Sequence, residues 1–154
     1  MKKSTFLIVA LWSYMLSGAQ SWTRPGSAVS YTIERNTVTF HSNSTAKLSL
    51  TLCSEGVVKI WYAPNGSFKR SNASFAVINE MLSPAGKIAV EEQPSAYELF
   101  TPKHRIRVNK TPLQLQIFDK YQKLLLSDYK DLGHVSDTAR KVAYKTLRSD
   151  EQFF

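Results

Sequence analysis

Residues 97–128 read YELFTPKHRIRVNKTPLQLQIFDKYQKLLLSD, and their spacing decides the fold class. Ile106 and Val108 fall on one side of a period-two pattern, Arg105 and Arg107 on the other. After Thr111-Pro112, Leu113, Leu115 and Ile117 share a face, with Gln114 and Gln116 opposite. Successive side chains leave opposite faces of a pleat, so this alternation marks half-buried β-strands. Residues 119–122 are polar enough to turn the chain, and residues 123–127 return as a third strand.

The same pattern extends outward in both directions. Leu48, Leu50 and Leu52 alternate with Ser49 and Thr51. Ser54-Glu55-Gly56 turns the chain, and Val58, Ile60 and Tyr62 then line one face against Val57, Lys59 and Trp61. Pro64-Asn65-Gly66 is a strong stop. Residues 31–35 and 37–40 read as short strands around Asn36, and residues 71–79, 87–92, 97–101 and 142–147 read as further strands. No stretch after residue 19 holds a helical period. Short strands separated by turns at 8–12-residue spacing predict an all-β, antiparallel β-sandwich.

The composition, 43% hydrophobic and 21% charged, is that of a globular chain. Lys2-Lys3, an apolar run over residues 6–16 and the small residues Ser17 and Ala19 predict a signal peptide over 1–19. The run is too short to span a bilayer, so no membrane association is expected after cleavage. Loss of Lys2 and Lys3 lowers the formal charge from +8 to +6. Residues 20–35, with Pro25 and Gly26, are expected to form an N-terminal arm, mobile over residues 20–30, and residues 36–154 the sandwich. Cys53 is the single cysteine and reads as a small buried apolar residue. Arg105 and Arg107 share an outward face, but no recognition helix, zinc spacing or RNA-binding aromatic motif accompanies them, so nucleic acid is not an expected partner.

Lys110-Thr111-Pro112-Leu113, Ile117-Phe118-Asp119 and Leu125-Leu126-Ser127-Asp128 follow in the order found in the N-terminal domain of family 31 glycoside hydrolases, and the chain resembles that domain from Asn36 to Phe154. The ending KTLRSDEQFF is similar to the family segment that leads into a Gly-Leu-Gly-Glu motif. One departure is visible: the family has glycine in the turn after the aspartate, where this chain has Tyr121 and Gln122. The resemblance implies a galactose-mutarotase-like sandwich that continues beyond Phe154 and packs on a catalytic barrel, shaping substrate access in a retaining α-glucosidase or α-xylosidase. It implies an incomplete sheet at the C-terminus, and hence marginal stability, for these residues alone. The alternative is a free-standing carbohydrate-binding module.

Glycosidases need two carboxyl groups facing one sugar bond. Glu34, Glu55, Glu80, Glu91, Glu92, Glu98, Asp119, Asp128, Asp131, Asp137, Asp150 and Glu151 fall mostly in turns or at strand ends, where solvation accounts for them. The family's catalytic aspartates lie in the barrel and match no position here, so no catalytic residue is expected. Mutarotases pair histidine with glutamate. Of His41, His104 and His134, the first two read as solvated, and His134 after Gly133 is the one worth tracing. No cofactor-binding or metal residue is expected, because the histidines and Cys53 lack ligand spacing. Trp22, Trp61, Tyr62, Phe68, Tyr121 and Tyr129 are the aromatics available to stack on a sugar, with packing in the core or between domains the expectation for Trp61.

Overall fold

The computed structural model describes residues 22–54, 56–68, 88–130, 133–136 and 141–146. The segment expected to be a signal peptide, the strand expected over 71–79 and the ending after Thr146 lie outside the described residues. Four strands form a meander: β1 (Ala28–Glu34), β2 (Thr37–Ser42), β3 (Lys47–Ser54) and β4 (Val57–Ala63), paired in that order. A second meander holds β5 (Ala89–Glu92), β6 (Ala96–Phe100), β7 (His104–Asn109), β8 (Gln114–Asp119) and β9 (Leu124–Asp128), with β10 (His134–Ser136) and β11 (Lys141–Ala143) forming a separate ribbon. β12 (Lys145–Thr146) closes the six-stranded sheet against β9.

Antiparallel pairing puts directly opposed residues on one face. Tyr31, Phe40, Leu48 and Tyr62 therefore form one row across the first sheet, and Tyr97, Val108 and Leu115 one across the second. These rows meet in the core, where Val38, Phe40, Leu50, Leu52, Leu99, Ile106 and Val108 are fully shielded. Val58, Ile60 and Tyr62 pack against it, as their spacing predicts. The sandwich is thus all-β, and its two layers follow from period-two patterning that each sheet can bury only against the other. Cys53 is buried and free.

Three expectations need correction. Residues 22–34 are no loose arm. Thr23 bridges Ser136 with hydrogen bonds of 2.7 and 3.0 Å. Gly26 O accepts from Leu113 N at 2.9 Å, and Ala28 N donates to Lys110 O at 2.8 Å. β1 itself starts at Ala28, three residues before the alternation becomes visible at Tyr31. The predicted strand over 142–147 is broken at Tyr144. Its N–H donates to Gly133 O and its carbonyl accepts from Tyr129 N at 2.9 Å, so β11 leaves one sheet and β12 enters another. His41 lies within β2, not in a loop, with Nε2 3.4 Å from Thr32 Oγ1.

The turn that departs from the family pattern closes without glycine. Asp119 Oδ1 accepts from Tyr121 N and Lys123 N, both at 2.8 Å, while Gln122 takes the left-handed conformation at φ 66. The aspartate side chain adds to the backbone bonds of the turn, Asp119 N to Lys123 O at 2.9 Å and Gln122 N to Asp119 O at 3.1 Å.

Candidate functional site

Among the described residues two carboxylates are buried, against the expectation of solvated acids. Asp128 is 5% exposed and Glu98 7%. Glu34, Glu91 and Glu92 remain exposed, as expected of acids on strand surfaces.

Asp128 ends β9 and gathers three donors. Oδ2 accepts from Leu115 N at 2.8 Å and lies 3.4 Å from His134 Nδ1. Oδ1 pairs with Lys145 Nζ. His134 is 6% exposed and its ring lies 4.9 Å from that of Tyr62. β9, β10 and β12 are therefore fastened to one carboxylate, and Tyr62 links that knot to the first sheet. Burial pushes the Asp128 carboxyl up, but the hydrogen bonds and charges of His134 and Lys145 outweigh it and hold the group below the usual carboxylate value. A carboxyl depressed in the folded state adds stability above its unfolded value near 3.9, and that stability is lost as pH falls through the folded value. The melting temperature is therefore expected to drop as pH falls below about 4. Asp128→Asn should flatten that decline, which a series of melts in acidic buffers will read.

Glu98 lies on the opposite face of its sheet. Glu91, Glu98, Arg107, Gln116 and Ser127 form one cross-strand row, and Asp128, one residue after Ser127, takes the other side. The two buried carboxylates cannot face one glycosidic bond. His134 meets Asp128, not a glutamate, and both are closed off under Tyr62 and Lys145. The mutarotase-like pairing is absent among the described residues. His104 is half-buried at the start of β7, with Nδ1 shielded, which corrects its reading as solvated.

Arg105 and Arg107 do share an outward face, and Glu98 sits between them. Arg105 Nη1 lies 3.8 Å from Oε2 and Arg107 Nη1 3.5 Å from Oε1. Sequence reasoning missed this cluster because Glu98 is buried by residues of the neighbouring strand. Register was the available signal: Glu98 stands directly opposite Arg107 once β6 and β7 are paired.

Of the aromatics, Trp61 faces away from the core and packs edge-on against Phe68 at 5.5 Å, with Lys59 Nζ 4.6 Å from its ring centre. Core packing is thus not its role. Tyr62 is a core-side residue, Trp22 is half-buried, and Tyr121 and Tyr129 are exposed.

No family model matches the sequence, and no curated protein does. Solved structures do. A GH31 dextranase from Flavobacterium johnsoniae, seen with glucose and, as a mutant, with isomaltotriose, is 50% identical over 83% of this chain, with a TM-score of 0.77. The chain spans 16% of that enzyme's length. A cycloalternan-forming enzyme from Listeria monocytogenes shares the fold at 18% identity and a TM-score of 0.56, covering 75% of this chain and 10% of that one. A GH31 α-xylosidase from a soil metagenome does so at 17% identity and 0.53, over 66% of this chain and 14% of that one. Two layers of antiparallel sheet, the ordered motifs of residues 110–128 and half-identity to a dextranase lead to one conclusion: the chain belongs to glycoside hydrolase family 31, as its N-terminal β-domain.

Proposed function

We propose that this chain serves an exported retaining α-glycosidase as its non-catalytic N-terminal domain, packing on the catalytic barrel and shaping entry of an α-glucoside or α-xyloside. The observation that carries the reading is the 50% identity to a dextranase of which the matched part is 16%. Among α-glucosides, it favours a dextran-like glucan. The separation of Glu98 and Asp128 onto opposite sheet faces supports a supporting role over a catalytic one, because hydrolysis needs carboxyl groups on both sides of one bond. Export through cleavage after residue 19 belongs to the same proposal and rests on the N-terminal pattern of residues 1–19.

The test is a chimera. The matching stretch of the Flavobacterium johnsoniae dextranase is replaced by this chain, signal segment included, and the exported product is assayed on dextran. Activity within about tenfold of the parent enzyme is expected, a barrier change of about 1.4 kcal/mol or less. The mature N-terminus should lie within a few residues of Gln20 by mass spectrometry. A folded but inactive chimera, or dextran hydrolysis by this chain alone, would overturn the assignment.

A further inference from the structure

We propose that the outer face of the six-stranded sheet carries a subsite for a neutral saccharide, built on Glu98, Arg105 and Arg107. The inference goes beyond the role as a supporting domain and does not rest on it.

Glu98 faces outward yet is 7% exposed, because the two arginines of β7 cover it. Their guanidinium groups stand at ion-pair distance from the carboxylate, and Glu98 Oε2 has no hydrogen-bond partner. Arg105 Nε is also buried and without one. Shielded polar atoms are nearly always partnered, and leaving one unsatisfied is costly. One of these atoms accepts and the other donates, so the cluster presents both kinds of hydrogen-bonding group.

Both guanidinium groups are already held. Arg105 stacks 4.3 Å from the Phe118 ring centre, and Arg107 Nε donates to Asn109 Oδ1 at 3.2 Å. Little rotamer freedom remains to be lost on binding, which favours affinity. The arginines border an open trough of about 610 Å³, with Glu91, Gln93, Phe100 and Gln122 along its walls. That volume lies within the range of about 300–1,000 Å³ typical of small-molecule sites.

Charge selects the ligand class. Glu91 and Glu98 balance Arg105 and Arg107, so the trough favours neither an anion nor a cation. A hydroxyl is the group that both donates and accepts. One placed between carboxylate and guanidinium donates a hydrogen bond to Glu98 and accepts one from arginine, and two adjacent hydroxyls of a pyranose can use both arms of the fork. Phe100, 39% exposed, offers a flat apolar wall to the C–H face of the ring.

The experiment titrates the purified chain with isomaltotriose while following the arginine Nε–Hε signals and the Phe100 ring by NMR. Saturable shifts at Arg105, Arg107 and Phe100 are expected, little changed by added salt. Glu98→Gln and Arg107→Lys should each weaken binding by about tenfold. Arg107→Lys keeps the charge and alters a side chain that is 38% exposed, so it tests the fork even where Glu98→Gln fails to fold. Absence of saturable shifts, shifts confined to Trp61 or other surfaces, undiminished binding by Arg107→Lys, or displacement of the sugar by inorganic phosphate would each overturn the proposal. Failure of the dextranase chimera would leave it standing.

Discussion

Asp128→Ala is expected to lower the unfolding free energy by about 3–5 kcal/mol, the usual loss when one partner of a buried pair is removed. The side chain is 5% exposed and is the common partner of Leu115 N, His134 and Lys145. Alanine leaves the Leu115 N–H without its acceptor and the Lys145 ammonium without its counter-charge. It also removes a residue that ties β9 to both β10 and β12. Asp128→Asn retains an oxygen for Leu115 and should lose less. Urea denaturation of the two variants beside the parent chain checks this, with the midpoint moving most for alanine. A shift for alanine worth under 1 kcal/mol would mean the knot contributes nothing beyond its own desolvation.

Phe40→Ala is the second large effect, about 3–5 kcal/mol from lost burial and the cavity left behind. Phe40 is fully buried in β2 and its ring centre lies 5.3 Å from that of Tyr97, on the opposing sheet. Tyr31 completes the cluster, 6.1 Å from Phe40 and 5.2 Å from Tyr97. The contact joins the two layers, so the hole opens where the sheets meet and neither can close it without moving as a whole. Phe40→Leu keeps most of the volume and should lose less than half as much. Val29→Ala, at a site 58% exposed, is the control and should stay within about 0.5 kcal/mol. Thermal melts of all three give the ranking. Since a domain's stability is about 5–15 kcal/mol in total, either large loss would leave a substantial unfolded fraction in mild denaturant. Equal losses for Phe40→Ala and Val29→Ala would show that the sheets are not joined through this cluster.

Sequence alone determined most strands of the two meanders and their buried faces. Leu48, Leu50 and Leu52, and again Ile106 and Val108, announce them because a half-buried strand must alternate, and that demand acts on each side chain locally. The order of motifs over residues 110–128 gave the resemblance to the family, and the 50% identity to a dextranase bears it out. What tertiary structure decided is the fate of residues whose partners are remote. Asp119 and Asp128 both end strands and look alike as sequence, yet one caps an exposed turn while the other is buried beneath His134 and Lys145, delivered by two later strands. Residues 22–28 carry no alternation because they are held by main-chain hydrogen bonds to Ser136, Leu113 and Lys110, which any side chain permits. Tyr144 divides one expected strand between two sheets for the same reason. Glu98 stands between these cases: its outward direction was legible, but its burial needed β7 laid beside β6, since only then do Arg105 and Arg107 cover it. Backbone pairing and long-range charge leave no periodic trace in a chain, and so the polar knot and the outward cluster emerge only once the strands are brought together.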